Sequence, residues 1–208
     1  MNTDTPTARD VVNDLTAAFA STPSEIDALR TRLAECADAD GLLDVAYRTV
    51  DSPFGELLVA ATPEGVVRVA FERQDHETVL GQLAEVVSPR ILRSGRRTDA
   101  VARQLDEYFA GRRRSFDLAV DLRLVHGFRR TVISHLPDIA YGTTASYAAL
   151  AAAAGNPAAA RAVGSACSHN PVPVVVPCHR VVRADGSRGQ YVGGPEAKAA
   201  LLALEAAA

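Results

Sequence analysis

A cysteine, a histidine and an arginine stand side by side in Pro177-Cys178-His179-Arg180, directly after the apolar run Val172-Pro173-Val174-Val175-Val176. A thiol is a strong nucleophile only as the thiolate, and a free cysteine keeps its proton up to a pH of about 8.5. An adjacent imidazole can take that proton, and a nearby cation favours the charged form. Pro173 and Pro177 each fix a φ angle, so a stiff segment presents the thiol. The valine run reads as a strand that ends where the thiol begins. The plain alternative is a small core residue, because free cysteine is among the most buried side chains. What separates the two readings is the stretch upstream, which has the layout of a DNA-binding unit.

Residues 146–154 read as a helix closed by Gly155. Asn156 is a good N-cap and Pro157 a good first helical residue, so a second helix is expected from there to about Ser168. Two helices across a tight turn are a helix-turn-helix signal. The second opens with Ala158-Ala159-Ala160-Arg161-Ala162. A helix that reads bases in the major groove carries several polar side chains aimed at base edges, and this one carries almost none. Ala158, Ala159 and Ala162 permit close backbone approach, and Arg161 suits the phosphates or a wedge between bases, as in sequence-independent minor-groove contact. The alternative is an alanine-rich packing helix with one solvated arginine.

The remaining chain supplies the frame. Residues 11–19 and 26–36 carry apolar positions at helical spacing (Val11, Val12, Leu15, Ala18, Phe19; Ile26, Leu29, Leu33, Cys36), with Pro23 as a break and Ser24 as the expected N-cap. From residue 43 the texture changes. Runs at 45–50, 57–61 and 66–71, separated by Pro/Gly turns, read as an antiparallel meander. Helices are expected near 76–87 and 99–109, the latter ended by Gly111, then at 128–136 and from Pro195 through Glu205. The expected organisation is a helical extension over 1–42, a sheet-containing subdomain over 43–124 and a C-terminal subdomain over 125–208. The class is α+β: a small antiparallel sheet with helices, followed by a helical unit with a winged-helix-like helix-turn-helix.

Composition narrows the class. The chain has 208 residues, 48% hydrophobic and 23% charged, with no apolar run long enough to span a bilayer. Met1-Asn2-Thr3-Asp4-Thr5 has neither a basic nor an apolar region of the kind a secretory signal carries. Cys36, Cys167 and Cys178 are an odd set without CxxC spacing, which fits a reducing cytoplasm and not a disulfide framework. The net charge of −3 divides unevenly: residues 1–110 hold 11 basic and 19 acidic side chains, residues 111–208 hold 11 and 6. A basic C-terminal half is the asymmetry expected where one half touches phosphate.

An ordered set of motifs runs through residues 45–208: Thr144-Ala145-Ser146-Tyr147, Gly155-Asn156-Pro157, Arg161-Ala162-Val163-Gly164, Asn170-Pro171, Pro177-Cys178-His179-Arg180-Val181 and Gly189-Gln190-Tyr191-Val192-Gly193-Gly194. Taken in order they resemble the O6-alkylguanine-DNA alkyltransferases. Ser52-Pro53-Phe54-Gly55 resembles that family's N-terminal part more loosely, and residues 1–42 fall outside the likeness. The resemblance implies a monomer that binds duplex DNA, flips out an alkylated guanine, and needs no cofactor. It implies that Cys178 attacks the alkyl carbon on O6 and keeps the group as a thioether, with O4-alkylthymine as the related lesion. His179 would take the thiol proton through a water, and Glu205 would orient the imidazole. Tyr147 would donate to the departing base, Arg161 would fill the vacated stack, and Asn170 would brace the turn. Tyr191, Val192 and Gly193 would cover the alkyl group. The carbonyls of Cys178 and Val181 would accept from the guanine amino group, with Lys198 nearby.

Some positions depart from the family pattern. Val192 stands where a small or hydroxyl residue is common, which narrows the alkyl pocket. Ala140 replaces a proline, and Arg188 replaces an apolar residue. Cys167 falls on the second helix of the pair, near the expected base pocket, as a packing residue or a second thiol. Cys36 and His76 are too sparse for the zinc site of some relatives, so no metal is expected. A damage sensor without catalysis is the alternative reading, and the presence of Cys178 argues against it.

Overall fold

The computed structural model describes residues 22–207; the helix expected over residues 11–19 lies outside them. The described chain enters through helix α1 (Pro23–Ala39). Its cap is Thr22 and not Ser24. The Thr22 hydroxyl accepts from the Glu25 N–H at 3.2 Å, while the Glu25 carboxylate accepts from the Thr22 N–H at 2.7 Å. This reciprocal box makes Pro23 the first helical residue, where its missing N–H costs nothing. The amphipathic stripe expected here does not face the protein: Ile26, Leu29 and Leu33 are exposed, and Ala34 is the buried residue of the helix. Only the far end is tied down. The Asp38 carboxylate accepts from the Arg97 guanidinium, which also donates to the Leu43 carbonyl at 2.9 Å.

Strands β1 (Val45–Val50), β2 (Leu57–Thr62) and β3 (Gly65–Phe71) form the expected antiparallel meander. A further strand, β4 (Ile91–Arg93), lies parallel to β1 and gives the order β3-β2-β1-β4. The sheet is therefore mixed, not wholly antiparallel. Three residues are too few to register as period-two alternation, which is why the pattern missed it. Successive β2 side chains point to opposite faces. Leu58 and Ala60 join Val45, Val67 and Ala70 against Val79 and Leu83 of helix α2 (His76–Val86). Leu57 and Val59 join Val69 and Phe71 against Val101, Leu105 and Tyr108 of helix α3 (Asp99–Phe109). The buried positions of α3 are Val101, Gln104, Leu105 and Tyr108, a clean i, i+3, i+4, i+7 stripe, and Gly111 at φ +71° ends the segment.

The C-terminal half contains α4 (Gly127–His135), β5 (Ala145–Ser146), α5 (Tyr147–Ala153), α6 (Ala160–Ser168), β6 (Val181–Val182, parallel to β5) and α7 (Gly194–Ala206). Val132 and Ile133 of α4, Leu150 and Ala151 of α5, and Val163, Ala166 and Cys167 of α6 pack together. The same cluster continues without a break into Leu57, Phe71 and Tyr108, so the two halves share one core.

The helix-turn-helix is present, but α6 starts three residues later than Asn156-Pro157 predicts. The Asn156 N–H donates to the Ala151 carbonyl at 2.9 Å and the Gly155 N–H to the Ala152 carbonyl at 3.0 Å. That pair is the Schellman closure of α5, with Gly155 at φ +80°. The Asn156 carbonyl then accepts from the Ala159 N–H at 2.9 Å. Asn156 thus closes one helix instead of capping the next, and Pro157 and Ala158 lie in the turn.

Asp38 anchors α1 through a charge-assisted contact to the largely covered Arg97 guanidinium, with the exposed Arg96 guanidinium 3.7 Å from its other oxygen. Asp38→Ala is expected to lower stability by about 1–2 kcal/mol, read as a lower urea midpoint with an unchanged slope; an unchanged midpoint would show that α1 is held by other means.

Candidate active site

The expected strand at 172–176 is instead a buried turn. The Val176 N–H donates to the Val172 carbonyl and the Cys178 N–H to the Val176 carbonyl, both at 2.9 Å. Val174 sits at φ +71°, a conformation that a β-branched residue adopts only when its surroundings impose it, and the residue is 1% exposed. The organiser is Asn170. Its Oδ1 accepts from the Val172 N–H at 3.0 Å, and its Nδ2 donates to the Val176 carbonyl at 2.8 Å and to Cys178 Sγ at 3.2 Å. One side chain thus closes the turn and aims the thiol. The outer edge of β3 supports the same turn, the Val69 N–H donating to the Pro171 carbonyl at 2.9 Å.

Residues Cys178–Arg180 form one turn of 3-10 helix, all three buried. His179 Nε2 lies 2.8 Å from Glu205 Oε1. Glu205 is in the last turn of α7 yet only 3% exposed. Burial alone would raise its pKa, but hydrogen bonds from His179, Arg180 and Tyr108 outweigh that and hold it at about 2. The carboxylate is therefore charged at neutral pH and takes a proton bond from Nε2. That fixes the tautomer and leaves Nδ1 as the basic nitrogen. Nδ1 is buried without a partner among the described residues. Burial lowers the His179 pKa against the opposing pull of Glu205, so the ring is neutral and able to accept a proton at neutral pH.

Cys178 is 1% exposed, and burial pushes its thiol up to about 11 despite the Asn170 hydrogen bond and the Lys198 charge, which both favour the thiolate. The cation near the sulfur is thus Lys198, not the adjacent Arg180. Arg180 is committed elsewhere: Nε donates to Glu205 Oε2 and Nη2 to Oε1, each at 2.9 Å, and Nη1 to the Ile139 carbonyl at 2.6 Å. Lys198, fully buried on α7, donates to the Val181 carbonyl at 2.6 Å. One lone pair of that carbonyl, expected to face a guanine amino group, is therefore already engaged. Cys167 is buried on α6, where burial raises its thiol pKa. It packs in the shared core beside the electrostatic reach of Cys178.

Tyr147 opens α5, whose cap Ser146 accepts from the Ala149 N–H at 3.1 Å. Its ring runs past Gly164 of α6 and its hydroxyl reaches Gly189, where an added Cβ would lie 2.5 Å from the Tyr147 oxygen. Burial raises the Tyr147 pKa, which keeps the hydroxyl a donor. Arg161 and Ala162 are exposed on the first turn of α6, with Ala158 exposed and Ala159 half-buried just before it. Tyr191 is buried edge-on against Phe71 at 5.8 Å and His179 at 6.3 Å, and Val192 and Gly193 beside it are half-buried. A side chain at Gly193 would have to displace the Phe71 ring, since a Cβ would stand 2.6 Å from Phe71 Cζ.

Cys178, His179, Glu205, Asn170, Tyr191 and Lys198 are thus brought together, with Tyr147 alongside, while Arg161, Ala158 and Ala162 are exposed on the helix-turn-helix with Ala159 half-buried between them. The sequence reading missed Tyr108, whose hydroxyl donates to Glu205 Oε1 at 2.7 Å from the sheet half. Its position on the α3 stripe reads as core; the available signal was that a buried tyrosine hydroxyl needs a partner.

Two outcomes test this geometry. Asn170→Ala leaves the Val172 N–H unpaired in a buried turn and the Val176 carbonyl with the Cys178 N–H alone, and should lower the unfolding free energy in urea by about 1–3 kcal/mol. Alkylation of Cys178 by iodoacetamide, followed by peptide mapping, should rise about tenfold per pH unit from pH 8 and level off near pH 11, since only the thiolate reacts. Lys198→Met should move that plateau to higher pH.

Residues 45–122 match the family described as 6-O-methylguanine DNA methyltransferase, ribonuclease-like domain, and residues 127–207 match 6-O-methylguanine DNA methyltransferase, DNA binding domain. The methylated-DNA–protein-cysteine methyltransferase of Mycolicibacterium paratuberculosis is 42% identical over 161 residues, covering 77% of this chain and 92% of the relative. The constitutive enzyme of that name from Bacillus subtilis is 36% identical over 164 residues, covering 76% and 94%. The crystal structure of Mycobacterium tuberculosis OGT in complex with DNA superimposes with a TM-score of 0.68 at 38% identity, covering 78% of this chain and 93% of that one. Residues 22–42, which include α1, precede the matched regions. With matched domains across both halves and relatives of this similarity, the chain belongs to the methylated-DNA–protein-cysteine methyltransferase family.

Proposed function

We propose that this protein repairs DNA by direct reversal, moving the alkyl group of O6-alkylguanine in a duplex onto Cys178 in a single irreversible step. The observation that carries this reading is one buried constellation: a thiol aimed by Asn170, next to a histidine whose tautomer is set by an ionised Glu205. The outward-facing helix-turn-helix and the DNA complex of the Mycobacterium tuberculosis relative support duplex DNA as the partner.

The steps follow from the side chains. Arg161 and the small residues around it meet the backbone and groove, and the arginine occupies the gap left by the flipped nucleotide. The flipped base enters between Tyr147 and the Tyr191–Gly193 loop. His179 Nδ1 accepts the Cys178 proton, directly or through one water, and Glu205 stabilises the imidazolium that forms. Sulfur attacks the alkyl carbon in line; the S–C bond forms as the C–O6 bond breaks. Tyr147 passes a proton to the departing base, so that guanine leaves neutral, and the tyrosinate regains a proton by way of solvent as the imidazolium of His179 gives up the one it took from the thiol. The product is a thioether at Cys178, which cannot be discharged by any group in the site, so each molecule acts once.

The test is intact-mass analysis with peptide mapping after mixing the protein with duplex DNA carrying O6-methylguanine. The expected result is a gain of one methyl group on the Cys178 peptide, one per molecule, absent from Cys178→Ala. Binding without an adduct would replace repair by damage sensing, and neither binding nor adduct would overturn the reading altogether. A parallel duplex with O4-methylthymine measures the second lesion.

A further inference from the structure

Glu205 is placed at the end of a terminal helix, where backbone order is ordinarily weakest. Its carboxylate is nevertheless held by four partners: His179, Arg180, the Gly142 N–H at 3.2 Å and Tyr108. The Arg180 fork spans both oxygens. The Tyr108 contact, at 2.7 Å, falls on Oε1, the oxygen that also accepts from His179. Tyr108 comes from α3, in the sheet half of the chain, 97 residues away in sequence.

We propose that Tyr108 is a positioning residue for the transfer centre: its hydroxyl holds Glu205 Oε1 against His179 Nε2 and sets how strongly that carboxylate pulls on the imidazole proton. This rests on the methyl-transfer reading above. Three features carry it. The tyrosine is fully buried, and its ring is locked by Phe109 at 5.5 Å, Phe116 at 5.2 Å and Tyr141 at 6.2 Å. Its hydroxyl therefore has one place to point. Burial and the Glu205 charge raise its pKa well beyond the ordinary range, so it remains a donor at every working pH. Its oxygen is 3.5 Å from His179 Nε2, too far for a good bond yet close enough to exclude other donors from that side of the carboxylate.

The direction of the effect follows. A hydrogen bond from Tyr108 withdraws negative charge from Oε1. Removing it makes the carboxylate a stronger acceptor for the imidazole proton, which stabilises the imidazolium and raises the His179 pKa. The other groups facing the ring stay in place: Lys198 and Glu205 from α7, Arg180 from its own turn, and Tyr191 from the loop. The basic form of His179 is then lost at a higher pH on the acid side. Orientation suffers as well, because Glu205 is left to the Arg180 fork alone on that side.

The experiment compares wild type with Tyr108→Phe, which keeps the ring and removes the donor. Single-turnover methyl transfer at pH 7.5 should slow about tenfold, a small part of the loss that follows from misplacing a catalytic group. Affinity for the lesion-bearing duplex should stay within about twofold, because α3 is remote from the outward face of α6. The acid limb of the rate–pH profile should move to higher pH. The imidazole titration of His179, followed by NMR in DNA-free protein, should move the same way. A merely structural hydroxyl would lower the melting temperature and leave limb and titration where they were, which overturns the proposal. If Tyr108→Phe does not fold, site-specific 3-fluorotyrosine at position 108, a stronger donor of nearly the same shape, should shift the His179 titration to lower pH; no shift overturns it. The NMR titration needs no substrate, so it decides the role of Tyr108 even if wild type forms no Cys178 adduct, an outcome that would instead remove the methyl-transfer reading.

Discussion

The structure turns on one ionised carboxylate taken out of water. A buried charge left without partners is costly enough that it normally gives up its charge. The Glu205 side chain is 1% exposed and stays charged because four donor residues converge on it from three separate places. Arg180 supplies a bidentate fork, the strongest geometry available to a guanidinium. The turn after Ile139 supplies the Gly142 N–H, the active-site turn supplies His179, and α3 supplies Tyr108. Each of these elements must be in register for the charge to be tolerated. The pairing therefore ties the end of α7, the turn at 178–180, the 139–142 turn and the sheet half into one arrangement. Arg180 is itself steadied by the Ile139 carbonyl and by the Tyr141 ring, 5.6 Å from its guanidinium carbon.

The thiol shows the opposite balance. Lys198 and Asn170 both favour the thiolate, yet burial wins and leaves Cys178 protonated at rest. That balance suits the proposed transfer, in which the nucleophile is used once. Oxidation follows thiolate character and exposure, and this sulfur has neither at rest. In the proposed transfer, reactivity is conditional on His179 Nδ1 receiving the proton, and that nitrogen is the basic one because Nε2 is committed to Glu205. In that proposed step the alkylated base supplies the carbon electrophile. The protein's part is to have the base, the acceptor and the sulfur aligned beforehand, which is the form of catalysis that costs no reorganisation during the step.

The residues legible in the sequence were those whose chemistry is local. Cys178 and His179 are adjacent, Asn170 precedes the turn it braces, and Gly193 and Tyr191 lie in one loop; the ordered motifs made their resemblance specific. The helix stripes of α3 and the Pro/Gly-punctuated meander were legible from period alone. What failed did so for nameable reasons. The valine run 172–176 has strand composition, but Asn170 folds it into a turn by taking the hydrogen bonds a strand partner would have taken. Asn156 has N-cap chemistry, but its N–H was already needed to close α5. Arg180 looked like the cation beside the thiol because it is near in sequence, whereas Lys198 occupies that place through the packing of α7. Tyr108 was invisible because nothing within its own helix marks where its hydroxyl goes.

The sheet half acts on the C-terminal half at more than one point, and this explains why the core is continuous. Phe71 of β3 carries Tyr191 on its edge and leaves no space for a side chain at Gly193, so it sets the path of the loop over the thiol. Arg73, just beyond that strand, crowds Gly194 at φ +92°, where α7 begins. The Val69 N–H holds the Pro171 carbonyl at the base of the active-site turn. Tyr108 holds the far end of α7 through Glu205. Helix α7 is thus gripped at both ends by the sheet half, and it carries Lys198 toward the sulfur and Glu205 toward the imidazole along one rigid rod. The backbone of this thirteen-residue helix fixes the spacing of those two charges; the C-terminal half orients it through Lys198–Val181 and Glu205–Arg180, and the sheet half adds Tyr108 at its far end, so both halves set where the two charges lie.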